Sequence, residues 1–218
     1  MTFDFSSDYT FFISAFTAIF AIVNPISGVM TFISLTAKMN DADRIYVAKR
    51  SVVLACAIAL IFAVSGEYIL NFFSITTHSL RVAGGILLFL VALDMLFART
   101  TRESITSEEL SDAAHRDNIS IFPMAMPMLT GPGAITTILL YTNPTDGNIL
   151  QLKFIVIVAI LLTFVITFLI FWFSDFFHRV VGMTGMLVMT RMMGLFLGAI
   201  AVSFVSEGIK GLFNLGPI

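Results

Sequence analysis

A chain of 218 residues that is 58% hydrophobic and 12% charged, with a net charge of −2 and a mean hydropathy of +0.97, is far more apolar than a soluble domain. That composition specifies an all-α membrane protein crossing the bilayer several times, and it offers no basic patch of the kind that holds nucleic acid. The single Cys56 lies in an apolar run, which excludes an internal disulfide and makes packing its plainest use.

A bilayer-spanning helix needs about 20 mostly apolar residues. Six stretches qualify, at roughly 9–37, 48–72, 80–98, 119–142, 152–174 and 187–208. The N-terminus carries Asp4 and Asp8 in place of a basic leader, so the first span is expected to direct insertion. Within that span runs Asn24-Pro25-Ile26-Ser27-Gly28. Proline removes a helical hydrogen bond and glycine adds backbone freedom, so the helix is expected to break and restart there. In lipid, the freed backbone groups must face protein or a water-lined cavity. The fourth span contains a second such stretch, Thr130-Gly131-Pro132-Gly133-Ala134, and 107 residues separate Pro25 from Pro132.

The third and sixth spans also match. Arg81-x-x-Gly84-x-x-Leu87 opens one and Arg191-x-x-Gly194-x-x-Leu197 opens the other, 110 residues later. Three spans per half is an odd number, so the second half must insert upside down. The expected architecture is two inverted three-helix repeats, residues 1–98 and 119–218, with helices 1 and 4 broken near the midplane. The polar connection 99–118 between them is expected in the cytoplasm. Its Thr106 and Glu109 have the spacing of a capping box that would start a short helix.

Nine Lys/Arg fall on the side of the first, third and fifth connections and three on the other. The positive-inside rule then puts both termini outside the cytoplasm of a cell-membrane, multi-pass protein. Glu67 and Arg81 fall at the outer end, Asp175 and Arg191 at the inner end, and each couple is expected to pair as a gate or structural tie. Interfacial snorkelling of the two arginines is the competing account. His78, His115 and His178 have no second ligand at metal spacing, so no metal or other cofactor is expected. Gly194 and Gly198 form a small-x-x-x-small pattern that lets helices approach closely.

Two motifs carry a family resemblance. Ala21-Ile22-Val23-Asn24-Pro25-Ile26, with Phe32 and Leu35-Thr36 beyond, resembles the first-helix motif of MarC family membrane proteins. Pro127-Met128-Leu129-Thr130-Gly131-Pro132-Gly133-Ala134-Ile135 resembles the same family's fourth-helix motif. The family commonly has a glycine where this chain has Ser27 and a second proline where it has Met30. The resemblance implies a three-plus-three layout similar to the LysE-type exporters. It also implies, for some members, transport of small neutral amino acids with proton coupling proposed.

The residues and the resemblance together set the functional expectation. It is a secondary carrier of a glycine- or alanine-like amino acid, coupled to an ion or proton, and not an enzyme. The substrate would lie among Asn24, Pro25, Ser27, Gly28, Thr130, Gly131, Pro132, Gly133, Thr136 and Thr137. Helix N-termini would hold its carboxylate, and carbonyl ends its ammonium group. Thr136 and Thr137 have a competing use, bonding to their own helix backbone. A cation-conducting or ion-binding membrane protein is the alternative. A homo-oligomer is compatible with either.

Overall fold

The computed structural model describes residues 5–97, 119–144 and 148–213, and within these the chain is all-helical, without a strand. The connection at 99–118, with Thr106, Glu109 and His115, lies outside the described residues. Helix α1 spans Phe5–Val23, α2 Pro25–Thr36, α3 Asp41–Phe72 and α4 Thr77–Leu96. After the linker comes a bent segment, Ser120–Leu129, then α5 Pro132–Thr142, α6 Ile149–Trp172 and α7 Ser174–Leu212. By length and composition five helices or helix runs can cross a membrane, and six if the bent segment and α5 are taken as one span.

The element boundaries follow from capping chemistry. Asn40 accepts the Asp43 N–H through its side chain at 2.8 Å and starts α3 seven residues before the apolar run begins. Thr76 caps α4 in the same way through the Ser79 N–H. Helix α7 also begins early, at Ser174, and is kinked at Gly182, whose φ of 67° suits a residue without a Cβ. The expected sixth span at 187–208 is therefore the inner portion of a longer element. The apolar pattern marks only the part of a helix that needs lipid or protein around it, while caps set where the backbone turns.

The bent segment is where local pattern and structure differ most. Pro123 and Pro127, four residues apart, keep Phe122 and Met126 in extended backbone, and the Phe122–Pro123 and Met126–Pro127 peptide bonds are cis. The axis turns by 54° between this segment and α5. The residue before a proline is pushed out of the helical region, which accounts for both extended residues.

Packing pairs the elements across the chain. Helix α4 lies against α7 over most of its length, and α3 lies against α6. The α4–α7 contact is close because glycines face backbone. A Cβ on Gly194 would sit 3.0 Å from the Ala92 carbonyl oxygen, and one on Gly85 2.8 Å from that of Ala201. The small residues at the Gly194 and Gly198 positions thus serve close approach, without a driving hydrophobic effect in lipid. The larger core gathers α1, α2, α3, α5 and α6 around Ile19, Val29, Phe32, Ile138, Ile160 and Phe171. Phe32 and Phe171 stack with centroids 5.0 Å apart.

Candidate functional site

The two proline-containing turns lie side by side. Asn24 stands between α1 and α2 with φ 46° and ψ 61°, a left-handed conformation that asparagine tolerates better than most residues. Its Oδ1 accepts the Ser27 N–H at 3.3 Å, and Pro25 supplies the first helical position, where no N–H is needed. Gly131 stands between the bent segment and α5 in extended backbone, again with proline next. Unlike Asn24, Gly131 provides no side-chain cap. The first-turn N–H groups of Gly133 and Ala134 are left to whatever occupies the space in front of them.

That space is a partly open cavity of about 190 Å³. Asn24, Ser27, Gly28, Gly131, Pro132 and Gly133 all line it. The remaining four expected residues do not. Pro25 is buried at the turn. Thr130 is fully buried, and its hydroxyl donates to the Ala55 carbonyl of α3 at 3.0 Å. Thr136 and Thr137 donate to the Pro132 and Gly133 carbonyls, one turn back on their own helix. Their hydroxyls are spent on local structure.

Sequence reasoning passed over four kinds of lining residue. Thr31 faces the cavity, and its spacing from Ser27 was the available signal, since i and i+4 share a helix face. Pro123 and Pro127 form a wall whose signal was two prolines inside one apolar run. Val91 and Met95 come from α4, and nothing local in the sequence places them here. Ile22 of α1 closes on Gly133, where a Cβ would lie 3.0 Å from the Ile22 Cδ1. The cavity therefore presents a positive helix start, two hydroxyls and an asparagine amide within otherwise apolar walls.

The ion pairs are rearranged relative to expectation. Glu67 pairs with Lys153 at 2.8 Å, Arg81 with Glu207 at 3.3 Å, and Asp175 with Arg44 at 2.7 Å. Glu67 does not meet Arg81 because α3 packs on α6 and α4 on α7, so each charge faces the neighbouring helix rather than the next in sequence. Asp175 does not meet Arg191: both belong to α7, sixteen residues apart and on either side of the kink at Gly182. Arg191 is exposed and forms no ion pair among the described residues.

The model of the family described as MarC family integral membrane protein matches residues 9–213. A UPF0056 membrane protein of Aquifex aeolicus is 39% identical over 93% of this chain and 94% of its own length. One from Methanocaldococcus jannaschii is 41% identical over 94% and 98%. The UPF0056 membrane protein YhcE of Escherichia coli is 34% identical over 97% and 95%. No solved structure matches the chain.

Proposed function

We propose that this chain, which belongs to the MarC family of integral membrane proteins, is a secondary transporter of a small neutral amino acid held between the turns at Asn24 and Gly131. The observation that carries this reading is the uncapped start of α5 opening onto the same cavity as Ser27 and Thr31. A helix start carries about half a positive charge and free N–H groups, so it holds a carboxylate without an arginine. The Asn24 side chain and the nearby turn carbonyls suit an ammonium group. A zwitterion satisfies both, and the glycines keep the space small.

The matched interruptions, 107 residues apart, support two inverted three-span repeats that rock about this site. In that reading α1–α2 and the bent segment with α5 are the two broken helices, with their turns near the midplane. Transport is then driven by an ion or proton gradient, or by exchange, without catalysis of a covalent step. The cell membrane is the setting, with both termini outside the cytoplasm.

Proteoliposome uptake tests it. Glycine or alanine should enter saturably and show counterflow, whereas an ion conductor would carry current and show neither. The methyl ester and the deaminated acid should each bind at least about tenfold more weakly, a loss of about 1.4 kcal/mol. Equal binding of amino acid and ester would remove the carboxylate site and the carrier reading with it.

A further inference from the structure

A second cavity, about 370 Å³, lies at the end of the molecule where α4 begins and α7 finishes. Its walls include Arg81, Glu207, Ser14, Tyr141 and Ser203. The Arg81 side chain is only 16% exposed, and its contact with Glu207 is no closer than 3.3 Å, from Nη1 to Oε2. A guanidinium carries five donors in a planar fork that matches a carboxylate with two parallel bonds. A contact of that length leaves donors over, and Arg81 lines the cavity. Glu207 is half exposed and has its own spare oxygen. At 3.3 Å the two charges are in contact, so a ligand that uses both has to part them.

The position of this cavity links it to the central one. Ser14 belongs to α1, ten residues before Asn24, and Tyr141 to α5, eight residues after Gly133. At 1.5 Å per residue those separations are about 15 Å and about 12 Å along the same two helices. The intervening turns carry Ala18, Ala21 and Ile138, all fully buried. Tyr141 lines the second cavity and not the central one. Its hydroxyl meets the Ser14 hydroxyl at 2.8 Å, and its ring packs edge-on against Phe11 and Phe204.

We propose that the Arg81–Glu207 cavity is a second binding station for the zwitterion, distinct from the central site. The carboxylate takes the free donors of Arg81, the ammonium group takes Glu207, and the ion pair between them reforms when the ligand leaves. Exchange of one charge pair for another keeps both protein charges compensated at every stage, which a lone arginine could not do in a poorly hydrated wall. The proposal rests on the amino-acid reading given above.

Equilibrium binding of carbon-14 glycine to purified protein in lipid nanodiscs tests it. The intact chain should bind two glycines, and the double variant Arg81→Gln/Glu207→Gln should bind one. That double variant removes both charges together, so it leaves neither unpaired and keeps the fold. Gly133→Leu should bind one as well, through the other site. Adding the double variant to Gly133→Leu should abolish binding. A single glycine bound by the intact chain, lost in Gly133→Leu and retained in the double variant, would overturn the second station and leave the carrier reading standing. Failure of the intact chain to bind glycine at all would overturn both.

Discussion

Arg44 and Asp175, 131 residues apart in the chain, meet through two parallel hydrogen bonds, Nη1 to Oδ2 at 2.8 Å and Nη2 to Oδ1 at 2.7 Å. The guanidinium is mostly covered and its Nε has no partner, so Asp175 is its main compensation. Asp175→Asn should therefore destabilise the protein more than Arg44→Gln does. In a double-mutant cycle on thermal stability in detergent, the coupling should be about 1 kcal/mol, because Asp175 is well exposed. Additive effects would mean that the pair ties nothing together.

Thr130 separates structure from recognition. Its buried hydroxyl holds α3 through the Ala55 carbonyl. Thr130→Val keeps the shape and removes the bond, while the Ala55 carbonyl keeps its place in the α3 hydrogen-bond ladder. A stability loss of about 0.5–1.5 kcal/mol is expected, with glycine affinity unchanged. A loss of affinity at normal stability would return Thr130 to the binding site.

Two of the cavity glycines, Gly133 and Gly28, should respond differently to one added methyl. On Gly133 the new carbon meets the free end of Ile22, which can turn aside. On Gly28 it lies 3.1 Å from the Phe171 Cζ, and Phe171 is fully buried and stacked on Phe32. Gly28→Ala should cost about 1–3 kcal/mol of stability, while Gly133→Ala folds normally. Gly133→Leu should insert normally and abolish uptake, since the larger group fills the cavity. Thermal melts and proteoliposome uptake on the same preparations check all three.

How far the sequence foretold this site can be argued from particular residues. The turns at Asn24 and Gly131 were legible because proline and glycine act on their own backbone, through local rules. Thr31 was within reach by helical spacing from Ser27. Val91 and Met95 were not, because the pairing of α4 with its neighbours depends on the whole bundle. The same limit misassigned Glu67, Arg81 and Asp175. A charge near a helix end takes whichever helix packs alongside, and sequence order does not say which that is. The bent segment failed for a different reason: its apolar composition hid the pre-proline restraint at Phe122 and Met126.

Thr31 carries the next prediction. Thr31→Val is close to isosteric and removes only the hydroxyl that faces the cavity. Half-saturation of glycine uptake should move up by about tenfold, the equivalent of about 1.4 kcal/mol, with the maximal rate little changed. An unaltered half-saturation would place the ligand away from α2.

Orientation can be checked without any substrate. In a Cys56→Ala background, Thr2→Cys and Pro217→Cys should both react with an impermeant thiol reagent on intact cells, as the nine-to-three distribution of Lys and Arg predicts. Reaction of both only after permeabilisation would invert the topology.

The three ion pairs described above all join a residue from before the linker to one from after it. During synthesis, Arg44, Glu67 and Arg81 therefore leave the ribosome well ahead of their counter-charges. Lys153 follows Glu67 by 86 residues, a delay of roughly 4–17 s at about 5–20 residues per second. For that interval Glu67 and Arg81 lack their later counter-charges, and Arg44 has only the nearby Asp41. Such a half-made protein depends on the insertion machinery to shelter it. A message truncated after the third span would yield a fragment in which Arg44, Glu67 and Arg81 never meet the partners they have in the whole chain.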